Sequence, residues 1–521
     1  MTGALDADQH RPALARRGDT CWRTAQAGRV SFIANAANYF AAVKEAIASA
    51  QTAVYLIGWD FDLRIRLRPD EPDPDIPDEL RHFLSWVVEE KPALEIYILQ
   101  WDGAMLLNIA RQIAPFVMLK ASRKSKIHFR LDSEHPAGAC HHQKIAVIDD
   151  SIAFCGGIDM TTGRWDTAEH LPQDERRKSP DGTLLGPWHD VTMAVDGDAA
   201  RALGELARKR WHRATGANLP VPQRSRDVWP ETLPVSCRDV EVGIARTMPR
   251  GGTSDGAEEI ERLWLAAIEE ARHTIYIENQ FLAASVIGRA LEARLAEADG
   301  PDVVIVVPKS AESWIESEVM DSARAFVVAG LRKADKHKRL GVYYPVNAEE
   351  EEVYVHAKVL VVDDWLIRIG SSNVSNRSMR LDSECDLVVE AGDRADVRKA
   401  ITEFRDDLLA EHLGKRRAEI AGEIKAAGGR LLSAVEAMRK NAGQPTLHHL
   451  QPRELNDVEI ALVESRLFDP ERPAHPEGRA KHFIKRVLNR YRSEATVAGA
   501  VAGTAAIGAA LLMAWRSRSG R

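Results

Sequence analysis

The sequence is poor in cysteine and carries no excess of positive charge, and each shortage excludes a class of protein. Its 521 residues include five cysteines, an odd number, and no two of them form a C-x-x-C pair. That pattern indicates neither a disulfide framework nor a structural zinc site. The formal net charge is −7, so the chain has no global basic field that would hold nucleic acid. We therefore expect no nucleic-acid partner.

A cleavable secretion signal is also missing from the sequence. Residues 1–29 are largely polar and lack the apolar core that such a signal requires. The expected location is the cytoplasm, or the inner membrane through the C-terminal tail. Secretion by a non-classical route is the alternative.

Long apolar runs are scarce, and one long uncharged run lies near the C-terminal end. Residues 495–515 contain no charged side chain, and about 20 apolar residues suffice to cross a hydrocarbon core. The preceding residues 479–492 mix arginine and lysine with apolar side chains, which predicts a basic amphipathic helix. Because the uncharged run is rich in Ala and Gly, a buried or disordered tail is the alternative to a membrane anchor.

The sequence does contain one motif written twice. The order is His, one residue, Lys, four residues, Asp, six residues, Gly. The first copy comprises His142, Lys144, Asp149 and Gly156, and the second comprises His356, Lys358, Asp363 and Gly370. Repetition of both the residues and the gaps makes chance a poor explanation.

The two copies predict chemistry on a phosphodiester. Alternation along a strand points each His and its Lys to the same face. A neutral imidazole can attack an electrophile or transfer a proton near neutral pH, and an ammonium group can hold a phosphate oxygen. If the copies face one another, one His can form a phosphohistidine while the other protonates the departing alkoxide. The candidate catalytic residues are His142, Lys144, Asp149, His356, Lys358 and Asp363.

This chemistry requires no metal and no cofactor. The sequence shows no evident carboxylate cluster for a two-metal site, and two lysines can supply the positive charge. Each His still needs a group that fixes its tautomer, and a carboxylate on the next strand is the usual solution. Asp190 and Glu384 are the candidates for that role.

The surroundings of the motifs also repeat, which predicts two duplicated α/β halves related by a pseudo-twofold axis. A helical pattern at 38–50 precedes a buried strand at 53–57, and 260–271 precedes 274–277 in the same way. Strands alternate with helices in each half, so the sheets should be covered on both faces. The predicted divisions are a flexible N-terminus at 1–28, a first half at 29–224, a second half at 225–414, a helical and linker region at 415–478, and the basic, membrane-directed segment at 479–521.

Short phrases around the motifs resemble the phospholipase D superfamily, in the branch that carries both motifs on one chain. The phrases are GGID at 156–159, GSSN at 370–373, IENQF at 277–281, PWHD at 187–190 and AEHLG at 410–414. The resemblance covers about residues 30–414, and GRWDT at 163–167 looks like a phosphatidylcholine-type phospholipase D more than like the one-motif nucleases. It implies two phospholipase D-like α/β sandwich halves with a helical C-terminal tail.

The resemblance also implies roles for individual residues in a metal-independent phosphatidyl transfer. His142 would be the nucleophile and His356 the general acid. The residues that would bind the substrate phosphate are Lys144, Lys358, Asn373 and Ser371. Asp149 and Asp363 would mainly orient the motif.

The first copy departs from the second in ways that predict uneven phosphate contacts. Gly157 and Asp159 stand at the positions of Ser371 and Asn373. A long polar insertion at 163–188 has no counterpart of similar length in the second half. Loops of this kind either shape a site or are merely solvated.

Six other histidine and aromatic residues lie in or near the motifs and phrases but do not indicate a particular function. Three histidines outside the motifs are expected to be structural: His141, His189 and His412. Three aromatic residues at strand ends either pack in the core or contact the headgroup or acyl chain: Trp59, Phe61 and Phe281.

The leading hypothesis is a phospholipase D that hydrolyses a phosphatidylcholine-like glycerophospholipid to phosphatidate and an alcohol, with transphosphatidylation as a further reaction. The expected partners are the phospholipid and the membrane surface, with no obligate protein partner and an active monomer. The alternatives are a cardiolipin-synthase-like phosphatidyltransferase, a nuclease, and a non-catalytic membrane-tethered binding protein. The intact pair of motifs argues against the binding protein, and the acidic balance argues against the nuclease.

Overall fold

The computed structural model describes residues 11–103, 126–223, 227–250, 255–311, 317–451, 453–466 and 469–472. The predicted basic segment and membrane anchor at 479–521 lie outside these ranges, as do residues 1–10. Within the described ranges, no helix has both the length and the apolarity needed to cross a membrane.

The described residues form eighteen strands. They are β1 (Arg23–Ala34), β2 (Ala53–Gly58), β3 (Glu95–Trp101), β4 (Ile127–Asp132), β5 (Ile145–Ile148), β6 (Ile152–Gly156), β7 (Trp188–His189), β8 (Val191–Asp196), β9 (Cys237–Met248), β10 (Ala257–Glu258), β11 (Thr274–Asn279), β12 (Asp302–Val306), β13 (Leu340–Pro345), β14 (Tyr354–Val355), β15 (Lys358–Val362), β16 (Leu366–Gly370), β17 (Glu384–Glu390) and β18 (Leu447–His449).

The same residues form eleven α-helices, with a π-helical turn at Ser317–Asp321. The helices are α1 (Ala36–Ser49), α2 (Leu80–Glu90), α3 (Gly197–Thr215), α4 (Glu259–Glu270), α5 (Ser285–Ala296), α6 (Ser322–Ala334), α7 (Asn376–Arg380), α8 (Ala395–Leu413), α9 (Arg417–Ala426), α10 (Leu431–Asn441) and α11 (Asp457–Ser465). Helices α3 and α8 each end at a left-handed residue, Gly216 and Gly414, where glycine carries no Cβ penalty.

Sixteen of the strands form one sheet whose strand order repeats on either side of its centre. Strands β1 and β9 pair antiparallel in the middle. Outward from β1 the order is β8, β6, β5, β2, β3 and β4, and outward from β9 it is β17, β16, β15, β11, β12 and β13. Strands β2, β3 and β4 are parallel on one side, and strands β11, β12 and β13 are parallel on the other. The α/β fold class is confirmed, and the repeated order agrees with two similar halves, whose origin by duplication stays a prediction.

The sheet is buried on both faces, as predicted. Strand β2 is buried throughout, and its side chains alternate between two apolar clusters. Val54 and Leu56 pack in the cluster that contains the apolar side of α1, whereas Tyr55 and Ile57 pack in the cluster that contains α3. A continuous apolar run is therefore required in this strand.

Two segments that were predicted to be loose are packed. Leu14 is buried, and the amides of Leu14 and Ala15 donate to the Glu390 carboxylate at 2.9 and 2.6 Å. Strand β1 then begins at Arg23, inside the predicted flexible start. Strand β18 lies in the predicted linker and extends the sheet by pairing with β13. Neither segment has a periodic apolar pattern, so its order depends on contacts with the rest of the fold.

Candidate active site

Both motifs lie at strand ends and open into one cavity. Strand β15 begins at Lys358, and β5 begins one residue after Lys144. The cavity has a volume of about 340 Å³, and both His142 and His356 line it. A larger cavity of about 660 Å³ lies beside the 163–188 insertion and is lined by none of the repeated motif residues. The smaller cavity is therefore where the predicted chemistry would occur.

Each motif histidine is held by the backbone of the opposite half. The His142 amide donates to the Ser383 carbonyl at 2.9 Å, and the His356 amide donates to the His189 carbonyl at 2.8 Å. Strand β14, which immediately precedes His356, pairs in parallel with β7 of the first half. The two halves thus build one site.

The carboxylates that orient the two imidazole rings also come from the opposite half. His142 Nδ1 donates to both carboxylate oxygens of Glu384, at 3.1 and 3.0 Å. His356 Nδ1 donates to Asp190 Oδ2 at 2.7 Å. A proton on Nδ1 leaves the lone pair on Nε2. The structure therefore brings Asp190 and Glu384 to the positions that an orienting carboxylate needs.

Burial keeps both imidazole rings neutral. Loss of hydration lowers the pKa of His142 and of His356 well below the usual value, and the nearby charges of Lys144 and Lys358 act in the same direction. Burial also raises the pKa of Asp190 to about 6. A neutral ring is the form that can attack phosphorus or accept a proton.

The two lysines are in unequal surroundings. Lys144 Nζ lies 3.0 Å from Asp159 Oδ2, so this ammonium is already paired. Lys358 Nζ donates to Gln280 Oε1 at 3.2 Å, and burial lowers the pKa of this lysine to about 7. Asn373 lines the cavity, and its buried Oδ1 has no hydrogen-bond partner among the described residues. Neither lysine belongs to the described residues that line the cavity, so the predicted phosphate contacts of Lys144 and Lys358 stay predictions.

Ser371 does not lie where the predicted phosphate contact requires. Its side chain is fully buried and outside the cavity wall, and Oγ donates to Glu384 Oε2 at 2.5 Å. The hydroxyl thus supports the carboxylate that orients His142. In the first half, a Cβ at Gly157 would lie 2.0 Å from Asp190 Oδ1. The glycine is required there because the Asp190 carboxylate occupies the space of a side chain.

Asp149 and Asp363 fasten the backbone instead of facing the cavity. The Asp149 carboxylate accepts from the amides of residues 51–53 at 2.6 to 2.8 Å. Asp363 accepts from the amides of residues 272–274 at 2.7 to 3.1 Å. Both aspartates have a positive φ, 54° and 53°, at the turn after the motif strand. This placement fits an orienting role and does not fit direct participation in the chemistry.

Two family models match the chain. The model described as "Phospholipase D" matches residues 112–296, and the model described as "Cardiolipin synthase, PLD-like domain" matches residues 264–408. The chain belongs to the phospholipase D superfamily. Both repeated motifs fall inside the matched residues.

Curated relatives of this superfamily member are similar over part of their length. Phospholipase D1 of Schizosaccharomyces pombe is 26% identical over 389 residues, which cover 56% of this chain and 28% of the relative. Phospholipase D alpha 1 of Zea mays is 24% identical over 513 residues, which cover 71% of this chain and 63% of the relative. The chain therefore spans less than two thirds of either relative.

A solved structure supports the fold. The crystal structure of phosphatidylserine synthase from Haemophilus influenzae Rd KW20 has a TM-score of 0.52 at 14% identity, and covers 78% of this chain and 95% of the other. At this identity the likeness concerns the fold alone.

The cavity of this phospholipase D superfamily member is also lined by residues that the sequence reasoning missed, among them Arg164, Gln280 and Arg377. Arg164 and Gln280 lie in two of the phrases that carry the resemblance, which was an available signal. Arg377 lies in no such phrase, and its position became evident only in the fold.

The aromatic candidates separate into two groups. Trp59 and Phe281 line the cavity, whereas Phe61 is buried in an apolar cluster. Trp59 stacks on Trp101, with ring centroids 5.8 Å apart. The cavity therefore has an apolar wall opposite its polar groups.

A buried chain of alternating histidines and carboxylates follows directly on Asp190. His189 Nε2 bonds to Glu278 at 2.8 Å, and its Nδ1 bonds to Glu411. His412 Nε2 bonds to Glu278 at 2.8 Å. Because both nitrogens of His189 face carboxylates, the ring carries two protons. Burial opposes this charge, but Glu278 and Glu411 raise the pKa of His189 well above its usual value.

This chain of residues has a structural explanation and also the residue types of a metal site. The two candidate triads are His170, His189 and Glu411, and His189, Glu278 and His412. Their ring nitrogens and carboxylate oxygens bond to one another across the halves. His141 Nδ1 is hydrogen-bonded to Ser383 Oγ at 2.8 Å, and its Nε2 lies at ion-pair distance, 3.1 Å, from Asp132 Oδ1. The three histidines that were expected to be structural all have partners of this kind.

Proposed function

We propose that the protein is a phospholipase D that hydrolyses the headgroup-side phosphodiester of glycerophospholipids to phosphatidate and an alcohol. One observation carries the proposal. Two imidazole rings, each oriented by a carboxylate from the other half, line one cavity.

The proposed reaction has two steps. In the first, His142 Nε2 attacks phosphorus and the bond to the headgroup oxygen breaks. His356, in the protonated state of its pair with Asp190, gives its Nε2 proton to the leaving alkoxide. In the second, water attacks the phosphohistidine while His356 accepts its proton, which regenerates both rings. Another alcohol in place of water gives transphosphatidylation.

The charge that develops on the non-bridging oxygens has suitable partners. Asn373 and Gln280 line the cavity, and Lys358 donates to Gln280 from below the cavity surface; a Lys ammonium stabilises such charge without a metal. Lys144 contributes less because Asp159 already pairs with it. The apolar wall of Trp59, Trp101 and Phe281 suits the lipid part or the headgroup of a phospholipid.

The decisive experiment is a product-resolved assay of the purified protein on phosphatidylcholine vesicles in the presence of a chelator. Phosphatidate and choline are expected. His142→Ala and His356→Ala should each lower the rate by at least about 10³-fold, because each removes a group that the reaction requires. The control is His82→Ala, a change at an exposed histidine. Full activity of either motif variant would contradict the proposal.

A cardiolipin-synthase-like phosphatidyltransferase is the second candidate, because one matching family model has that description. The same residues would transfer a phosphatidyl group to an alcohol acceptor. Phosphatidylglycerol as the sole lipid separates the two candidates. Cardiolipin as the main product would favour the transferase, and phosphatidate would favour the hydrolase.

We also propose that the protein acts as a monomer on the cytoplasmic or inner-membrane surface, without a protein partner. The basic and uncharged residues 479–515 support this location. Flotation with anionic vesicles should retain the full chain and release a chain that ends at residue 478. Equal binding by both would contradict the proposed role of the tail.

A further inference from the structure

The end of the described chain returns to the candidate active site. We name residues 457–466 and 469–472 the C-terminal strap; they include α11. Val463 of the strap packs against an apolar cluster that contains Phe281 and Met320. Both of these side chains line the cavity. The strap therefore supports the apolar wall from behind.

A second contact of the strap is polar and buried. Asp469 is 5% exposed. Its carboxylate accepts from the Asn376 amide and Nδ2, both at 2.9 Å, and from the Arg377 amide at 2.8 Å. These donors belong to the first turn of α7. A helix of this length is marginal by itself, so it depends on such contacts.

Helix α7 connects Asp469 to the ring of His142. Ser375 Oγ, at the start of α7, donates to Ser378 Oγ at 3.2 Å. Ser378 acts as a hydrogen-bond donor that lowers the pKa of Glu384, against the larger effect of burial, which raises it. Glu384 accepts the proton of His142 Nδ1. Hydrogen bonds at both ends of α7, joined by the backbone of its first turn, thus connect the strap to one motif histidine.

We propose that Asp469 is a positioning residue, which acts through α7 and Glu384 to hold the His142 ring in its attacking orientation. The effect on catalysis rests on the proposed function, whereas the effect on the ring does not. His356 provides an internal comparison, because it is oriented by Asp190, which lies between β7 and β8 and is not on this path.

The kinetic test uses the full chain with Asp469→Asn. The amide keeps the shape but places an NH₂ group against a backbone donor, so α7 loses part of its support. We expect kcat to fall about tenfold with KM within about twofold, because orientation of a nucleophile affects the transition state more than substrate binding. The control is Glu459→Gln, which makes the same charge change on the strap in a group bonded to Asn456. It should retain the wild-type kcat.

The second test needs no lipid turnover. Histidine-ring ¹⁵N NMR should show a changed tautomer or titration signal for His142 in Asp469→Asn, with the His356 signal unchanged. Ser378→Ala breaks the path next to Glu384 and should move the same signal, and it serves if Asp469→Asn does not fold. An unchanged His142 signal in the folded variant, or equal changes in both rings, would overturn the positioning role. If the wild-type protein hydrolyses no phospholipid, the proposed function is wrong. The NMR comparison would then still decide whether Asp469 positions the His142 ring.

Discussion

His356 Nδ1 and Asp190 share a short, buried hydrogen bond, and an additional proton on this pair is what lets His356 Nε2 supply a proton to the leaving group. The two groups lie 2.7 Å apart and both are shielded from solvent. Burial raises the pKa of Asp190 to about 6 and lowers that of His356. Titration of such a pair belongs to both groups and not to one of them. The protonated pair, present below about pH 6, is the form that can act as general acid.

The pair predicts a pH dependence with a definite sign. We expect kcat/KM to fall as pH rises through about 6, since the pair then loses its proton. The fall in kcat should occur at higher pH, because the negative phosphodiester stabilises the proton in the complex. Asp190→Asn should lower the rate by about 10- to 100-fold and abolish the fall of kcat/KM above about pH 6. If kcat/KM still falls in the same way in Asp190→Asn, the titrating group is a different one.

Asp159 offers a second prediction at the residue scale. It lies 3.0 Å from Lys144 and occupies the position that Asn373 has in the second half. Asp159→Asn removes a negative charge from the cavity, so inorganic phosphate should inhibit about three- to tenfold more strongly. The inhibition constant is the measurement. Asp174→Asn, at an ion pair with Arg176, is the control and should leave the constant unchanged.

At the scale of elements, the outer strands of each half were predictable from sequence. The runs at 53–57 and 274–277 are apolar and lie between helical patterns, and they form β2 and β11. The central strands β1 and β9 were not predicted. Their sequences contain charged and small residues, and their order comes from pairing with each other across the halves. Such pairing cannot be read from local periodicity.

The site was predictable in its chemistry and less so in its geometry. The motif supplied both histidines and both lysines, and the need for an orienting carboxylate supplied Asp190 and Glu384. The exchange of these carboxylates between halves required the fold. Ser371 was assigned to the phosphate, because a hydroxyl that supports a carboxylate has no sequence pattern distinct from one that binds phosphate. Asp469 was not predicted, because its contact with α7 is formed only in the fold.

The buried histidine and carboxylate chain gives a prediction for stability. Glu278→Gln removes the charge that faces both His189 and His412. Breaking one partner of a buried ion pair costs about 3–5 kcal/mol in free energy of unfolding. Urea denaturation at pH 6 measures it. Glu419→Gln at an exposed ion pair is the control and should leave the free energy of unfolding almost unchanged.

The same variant has a pH signature. The pKa values of His170 and His189 are raised in the folded state by their carboxylates, against the effect of burial. A raised pKa contributes stability below the unfolded value of about 6.5, and the contribution disappears as pH rises through the folded values. The difference between wild type and Glu278→Gln should therefore narrow at alkaline pH. A constant difference would show that these rings are not charged.

At the scale of the whole molecule, neither half contains a complete site. His142 depends on Glu384 and His356 depends on Asp190, and the central strands β1 and β9 form one continuous ladder. Covalent connection between the halves is therefore less important than their pairing. This distinction can be tested by cutting the chain.

A protease site inserted at residues 224–226, near the predicted boundary and outside the described ranges, provides the cut. The cleaved fragments are expected to elute together in gel filtration and to retain most of the activity, because the ladder and the crossed carboxylates remain. An uncut sample of the same protein is the control. Separation of the fragments, or loss of activity on cleavage, would show that the connection itself is needed.

The crossed carboxylates also constrain how this protein can change over evolutionary time. Gly157 leaves room for Asp190, and Ser371 donates to Glu384. Replacing one acid by the other lengthens or shortens the side chain, so its neighbour must shrink or grow in compensation. In alignments of close homologues, positions 157 and 190 should therefore covary, with glycine at 157 where 190 is aspartate. Positions 371 and 384 should covary in the same way, with serine at 371 where 384 is glutamate.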